Sequence, residues 1–374
     1  MEGLPEIDMI KLSGILFKFV GESKPSPSRA LHCFRIFNAA TMATALWFAF
    51  VNFFFVKGEM YVQALQSTIL FAHALLKYLS FINCKANIRE LLNEIVTRFW
   101  KHGRFNRNVA QEIERIHRTV ERLQRVMLTV TGFGVVMYMM KPFLAANRGL
   151  LLESYVPHSA VVDAILLFSQ FHCFFYSVPF VLGYDFVYFA LCAHITLQFR
   201  LLKHKIRQAL SKHDEKTISR LKVCVRHHQL LFTIRQRMQN IYSITLLFHY
   251  IGTLISTCVV LLELFLRRTN FMNYAAKVLT IPVFMVQFAL YAFPAEQVAS
   301  EFTALSDAIY ASFWYKNNVS NQKMLLFIMT AAQRVHYFSG AGLVDINVDA
   351  FESVSDLLYH VPFYKHSMKI ILGV

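Results

Sequence analysis

Charge is scarce in this chain. Asp, Glu, Lys and Arg make up 16% of its 374 residues, against about 25% in soluble globular domains. Acids are scarcer still, at 23 against 38 Lys and Arg. Glycine and proline are few, at 13 and 9, and beside so many aromatic residues that makes disorder implausible. The six cysteines (Cys33, Cys84, Cys173, Cys192, Cys224, Cys258) include no CxxC spacing, which leaves no disulfide or zinc framework. Missing too are the HxxxH and HExxH pairs of zinc hydrolases and the GxSxG turn of serine hydrolases. With no such constellation, no enzyme activity and no cofactor are expected. The segment MEGLPEIDMIKLSGILFKFVG puts acids before a short, broken apolar stretch, unlike a cleaved signal sequence. It reads as a retained helix lying at the cytoplasmic membrane surface.

What the chain has in abundance is apolar residues, at 56%, including 36 Phe and 16 Tyr, with a mean hydropathy of +0.41. A bilayer core takes roughly 20 mostly apolar residues per helix. Windows of that kind lie at 36–56, 60–84, 123–146, 160–196, 241–266 and 276–299, the fourth long enough to bend at Pro179. A weaker seventh at 347–372 carries Asp349, Glu352, Asp356 and Lys365. The apolar piece 324–332 is too short to span and reads as a buried cytoplasmic helix. Segments 85–122 and 199–240 keep helical apolar spacing among their charges, as in Ile88, Leu91, Leu92, Ile95 and Phe99, and so extend spans two to five into the cytoplasm. The fold class is therefore all-α and integral to the membrane, with seven transmembrane helices.

A net charge of +15 could suggest nucleic acid, but the basic residues lie between apolar runs rather than on one face interleaved with aromatics. They set the orientation instead. Twenty-eight Lys and Arg fall before span one, between spans two and three, between four and five, and between six and seven. The other loops hold Lys57, Arg148, Arg267 and Arg268. The N-terminus is thus expected in the cytoplasm and the C-terminus outside, the reverse of G-protein-coupled receptors, whose DRY and NPxxY motifs are also missing. The sequon Asn318-Val319-Ser320 then lies inside and stays unmodified.

Ionisable groups inside spans face protein or water, since lipid makes them costly. His73 and Lys77 in span two, Lys141, His172 and Asp185, and His249 are the main ones. Lys77 and Asp185 lie in inner parts of their spans and suit a structural pair; His172 and His249 suit hydrogen-bonded core positions. In span seven Ser353, Asp356, His360, Tyr364 and Ser367 recur every three or four residues as one polar stripe. Such a stripe fits either a seam buried against neighbouring helices or a water-filled pore built from several copies. A second, diffuse set lies in the outer halves of the spans. It comprises Ser67, Leu70 and Phe71 in span two and Val135, Tyr138 and Met139 in span three, with Phe168, Phe171, His172 and Phe175 in span four and Leu279 and Val283 in span six. Mostly apolar walls with a few placed polar groups suit a small-molecule pocket between helices, and core packing explains the same residues. The density of rings favours a flat aromatic ligand such as a phenol or an indole.

The last seventy residues resemble the insect odorant receptor family. The resemblance rests on Tyr310-Ala-Ser-Phe-Trp-Tyr315, Gln322-Lys323-Met-Leu-Leu326, Met329, Ala332-Gln333, Ser339-Gly-Ala-Gly342, Phe351-Glu-Ser-Val354 and Tyr359. It implies an odorant-gated cation channel of sensory-neuron plasma membranes, a heterotetramer with the family's coreceptor that needs no G protein. Residues 1–35 would be a cytoplasmic segment, 36–299 six spans holding the odorant pocket, 300–346 a cytoplasmic anchor shared between subunits, and 347–374 the pore helix. Asp356, His360, Tyr364, Ser367 and Met368 would line the pore, with Tyr364 and Met368 at its constriction. The connection 199–240 is much shorter than the coreceptor's, which implies an odorant-tuning subunit. His360 departs from the serine often found there, Pro362 interrupts the span, and Lys365, His366 and Lys369 put positive charge near the outer mouth. The related gustatory receptors end in a TYxxxxxQF-like motif that is not found here. A transporter would show inverted repeats or broken helices, and none is visible.

The orientation predicts that, in unpermeabilised cells, antibody reaches an epitope tag placed after Val374 and not one placed before Met1. The opposite pattern of labelling would overturn it.

Overall fold

The computed structural model describes residues 8–20, 29–55, 60–101, 107–144, 151, 160–211, 217–266 and 271–356. Helices account for nearly all of them: α1 (Lys11–Phe19), α2 (Arg29–Phe55), α3 (Met60–Arg98), α4 (Arg107–Leu144), α5 (Ala160–Ser211), α6 (Thr217–Leu266), α7 (Phe271–Tyr310) and α8 (Val319–Ala332). A ninth, α9, begins at residue 348 and is described to 356. In lipid every backbone N–H and C=O must be bonded within its own segment, and a helix does this. Among the described residues Arg29–Phe55, Ala64–Arg98, Val161–Ser211 and Thr217–Leu261 are long and apolar enough to cross a membrane.

The helices outlast the bilayer. At 1.5 Å per residue the 52 residues of α5 run about 78 Å, against about 30 Å of hydrocarbon. As the charged segments led one to expect, α3, α4, α5 and α6 continue through them, and α7 also runs on to Tyr310. The helix expected at 324–332 is α8, and it starts earlier because Asn318 caps it, its side chain accepting the Asn321 N–H at 2.9 Å. The sequon asparagine thus has a structural role.

The core forms around α5, which packs on α1, α2, α6 and α7. Short α1 does more than lie on a surface. Phe17 is buried, stacked on Phe81 at 4.8 Å and edge-on to Phe180 at 5.9 Å. Gly183 makes room, because a Cβ there would stand 3.2 Å from the Phe17 ring. Ile15 and Phe19 on the other side of α1 are exposed.

One element departs from the all-α expectation. β1 (Phe338–Gly340) and β2 (Val344–Ile346) form an antiparallel hairpin between α8 and α9. Ala341 and Gly342 turn it with φ of 50° and 72°, a region open to Gly and rare for Ala. The hairpin is pinned to α6. Gln239 donates to the Ser339 carbonyl at 2.7 Å and accepts the Ser339 N–H at 2.9 Å, and the Ala341 N–H donates to Ser243 Oγ at 3.0 Å. Any side chain at Gly340 would strike the α6 backbone, a Cβ falling 2.8 Å from Leu247 Cα. Three-residue strands give too little alternation to read from sequence.

The C-terminal parts of α3 and α5 and the N-terminal part of α6 are joined by a polar knot. Gln198 Oε1 accepts the Trp100 N–H at 3.1 Å, and its Nε2 donates to the Trp100 carbonyl at 3.1 Å. His227 stacks on the Trp100 ring at 3.7 Å, with Nε2 3.0 Å from the same Gln198 oxygen. Lys205 covers the Trp100 ring, 4.1 Å from its centroid. Burial, with Lys205 and His228 nearby, pulls the His227 pKa down to about 4.

Between about 4 and its ordinary 6.5 the unfolded chain therefore binds the proton that the native knot refuses. This contribution to stability is complete above that window and is lost as pH falls through it. The melting temperature of the purified protein should be lower at pH 5 than at pH 7.5, and the difference should shrink in His227→Gln. An unchanged difference in that variant would remove His227 from the account.

Candidate functional site

At mid-bundle, charge is buried where the sequence suggested it. Lys77 on α3 donates to both carboxylate oxygens of Asp185 on α5, at 2.7 and 2.9 Å, and neither side chain is more than 1% exposed. Two residues of α7 complete the shell. The Tyr291 hydroxyl donates to Asp185 Oδ1, Gln287 donates to Oδ2 at 3.3 Å, and the Tyr291 ring lies 5.2 Å from the Lys77 ammonium. Sequence reasoning missed Gln287 and Tyr291, although a signal existed: an aspartate inside an apolar run needs donors, and these two, one turn apart, are the side-chain donors of the apolar run 281–295.

One turn above Lys77, His73 and His249 meet with Nε2 and Nδ1 2.8 Å apart and rings stacked at 4.8 Å. Of the two histidines expected as hydrogen-bonded core residues, His249 is buried and His172 half-buried; the His73–His249 contact joins α3 to α6. Below, a column of buried tyrosines leads inward, with Tyr188 against Tyr291 at 4.8 Å and against Tyr242 at 5.0 Å. Tyr188 also meets Phe338 of β1 at 5.7 Å. The charged centre and the hairpin are therefore in continuous contact.

The expected pocket residues are only partly brought together. Ser67 and Phe71 are buried on α3, and Leu70 beside them is exposed. On α4, Val135 and Met139 are half-buried; the side chain of Tyr138 lies outside the described residues, as do those of Leu279 and Val283 on α7. On α5, Phe168 and Phe175 are about 60% exposed and lie on the outer face of this helix, and Phe171 is half-buried. His172 turns toward α2, where its Nδ1 lies 3.1 Å from Thr41 Oγ1 and Phe37 meets its ring edge-on at 5.2 Å. The inward face of α5 at this depth instead carries Ser169, Gln170, Cys173 and Ser177, all buried. Their spacing of three and four along the chain was a legible signal of a second face.

In α9, Ala350 and Val354 are buried, and Phe351 packs on Phe288 and Phe293 of α7. Ser353 and Asp356 face outward. His360, Tyr364, Ser367 and Met368 lie outside the described residues. Among the described residues no three of His, Cys, Asp and Glu converge on a point where a metal could bind.

Comparison with known proteins gives consistent matches. The family model "7tm Odorant receptor" matches residues 57–359. Odorant receptor 22c of Drosophila melanogaster is 22% identical over 182 residues, which cover 46% of this chain and 44% of that receptor. The chain thus spans less than half the length of this curated relative. The insect olfactory receptor OR5 from Machilis hrabei, solved in complex with eugenol, has the same fold, with a TM-score of 0.84 over 96% of this chain and 97% of that one at 15% identity. A second structure of OR5 gives 0.83 at 16% identity.

Removing one partner of a buried ion pair leaves the other uncompensated, at a cost of about 3–5 kcal/mol. Lys77→Met alone and Asp185→Asn alone should each lower the melting temperature in detergent sharply. The double variant should recover most of the loss, because the amide oxygen that replaces the Asp185 carboxylate still accepts from Tyr291. Losses that simply add in the double variant would show the two residues to be uncoupled.

Proposed function

Because the chain belongs to the insect odorant receptor family, its residues 57–359 matching the family model, we propose that it is the odorant-binding subunit of a ligand-gated cation channel. It is an integral membrane receptor. In this reading it sits in the plasma membrane of a sensory neuron with its N-terminus inside, and it opens a shared pore in a heterotetramer with the coreceptor. Residues 1–35 form the cytoplasmic segment, 36–299 the spans and pocket, 300–346 the anchor and 347–374 the pore helix.

The observation that carries the reading is the polarity of α9: its apolar side is packed on α7, while Ser353 and Asp356 are turned away from the subunit. Helical spacing would put His360, Tyr364 and Ser367 on that same open side, facing a central axis. Beyond the spans, Tyr310, Phe313, Tyr315, Leu326 and Phe327 are between 54% and 74% exposed on and around α8. Large exposed side chains grouped in this way mark an interaction surface, which supports an anchor shared between subunits.

For the ligand we retain a small aromatic volatile. Buried Ser67 and Phe71 sit at the outer part of α3, and eugenol, the molecule bound to OR5, is itself a phenol. The ring of Phe71 supplies a stacking surface and the Ser67 hydroxyl one hydrogen bond. Binding opens the channel to the extent that the pocket holds the ligand more tightly in its open shape.

Cells expressing this chain with the coreceptor should pass inward cation currents to phenols or indoles, and cells lacking this chain should not. Phe71→Ala should raise the half-maximal concentration for aromatics about tenfold while leaving aliphatic esters of equal size nearly unchanged. A receptor at the cell surface that gives no current to any volatile would overturn the channel reading. Aliphatic alcohols or acids as the strongest agonists, with Phe71→Ala silent, would overturn only the ligand class.

A further inference from the structure

Along α4 the side chains change character at one depth without changing face. At 100° per residue, Arg115, Arg118, Arg122 and Arg125 fall within one quarter of the helix circumference, and Thr129, Phe133, Val136 and Met140 continue the same strip. All eight are exposed. The opposite face is fixed to the bundle. Ile113, Val120 and Gln124 are buried there, and Gln124 donates to the Met9 carbonyl at 3.1 Å, so the strip cannot turn inward.

The acids nearby neutralise only part of this charge. Arg118 and Arg125 pair with Glu114 and Glu121 on the same helix at 3.4 and 2.8 Å while remaining 68% and 74% exposed, and pairs so open to water hold weakly. Arg115 and Arg122 have no ion-pair partner among the described residues. A shallow cavity of about 540 Å³ runs beside Arg118, Arg122 and Arg125 and reaches Thr129 and Val130.

Depth identifies the occupant. Counting back from the end of α4 at Leu144, about 20 residues cross the hydrocarbon, which puts its inner boundary near residue 125. Arg122 and Arg118 then lie roughly 5 and 10 Å further in, a depth that long guanidinium side chains match to the phosphates. A partner that fits the whole strip must present an anion immediately beside hydrocarbon. An acidic protein or a free phosphate offers only the first; an anionic phospholipid offers both.

Resting on the inward placement of this end of α4 proposed above, we propose that the face from Arg115 to Arg125 binds the headgroups of anionic phospholipids in the cytoplasmic leaflet. Each basic residue at such a surface strengthens binding by about fivefold. The guanidinium groups take the phosphate in charge-assisted hydrogen bonds, and the acyl chains lie along Phe133 and Val136.

The test uses the full-length protein in lipid nanodiscs, with a fluorophore on Thr129→Cys in a background in which the exposed Cys33 and Cys258 are serine. Acyl-brominated phosphatidylserine should quench the fluorophore at least about fivefold more effectively than brominated phosphatidylcholine. That preference should vanish in R115Q/R118Q/R122Q and survive in the corresponding triple Lys variant. Equal quenching by the two lipids, or a preference that survives the Gln changes, would overturn the proposal. So would abolition of the preference by micromolar inositol hexakisphosphate, which would mark the site as one for soluble anions. The orientation is read separately, with a membrane-impermeant maleimide on Gln111→Cys in intact cells. Labelling from outside there would overturn the orientation while leaving the quenching result to stand on its own.

Discussion

Three of the long helices meet at a single charge pair. Lys77 and Asp185 are held at 2.7 Å with almost no exposure, and Tyr291 and Gln287 bring α7 to the same carboxylate. Inside the closed bundle neither charge has an alternative partner in solvent, so the register of α3 against α5 and α7 is fixed wherever this contact forms. Such pairs are poor sources of net stability compared with an apolar replacement. Their use lies in specificity: sliding any of the three helices by one turn, about 5.4 Å, would separate the charges. The stacked histidines above and the tyrosine column below inherit that register, and through Phe338 so does the hairpin leading into α9.

Outside the bilayer the same helices are held by a different chemistry. Glu301 on α7 accepts from Arg200 at 3.0 Å and from Lys203 at 2.6 Å on α5. Arg237 on α6 reaches Glu94 at 2.7 Å and Glu90 at 3.0 Å on α3. Of these carboxylates Glu301 and Glu94 are largely shielded and Glu90 is exposed, so the Arg237–Glu90 contact is the weakest of these ties. Together with the Trp100 knot they leave the inner half of the bundle multiply tied. Among the described residues the other half has fewer polar ties.

The architecture was largely legible because lipid allows so few solutions. Apolar windows of the right length had to be helices, and charged segments with helical spacing had to continue them. The Lys77–Asp185 pair could be read because an unpaired charge in a span is too costly to leave alone. The pocket was less legible. Phe168, Phe171, His172 and Phe175 share one face of α5, but aromatic residues suit a lipid-facing surface as well as a binding site, and periodicity does not say which face turns inward. The burial of Ser169, Gln170, Cys173 and Ser177 settles the inward face for this helix. The hairpin was hidden for another reason: its stability comes from Gln239 and Ser243, about 100 residues earlier in the chain.

The 108 residues between Lys77 and Asp185 also set an order of assembly. Synthesis at about 5–20 residues per second separates the two charges by roughly 5 to 20 seconds. Throughout that interval α3 must sit in the bilayer with an ammonium that has no carboxylate to meet. Its place in the inner part of the span offers a temporary refuge, since a lysine there extends its four-carbon stem toward the headgroups. When α5 is inserted, the ammonium must withdraw from that water into the bundle, and the helices can close only after it does. The closing of this contact, rather than the crossing of the bilayer by α3, is what sets the helices in register.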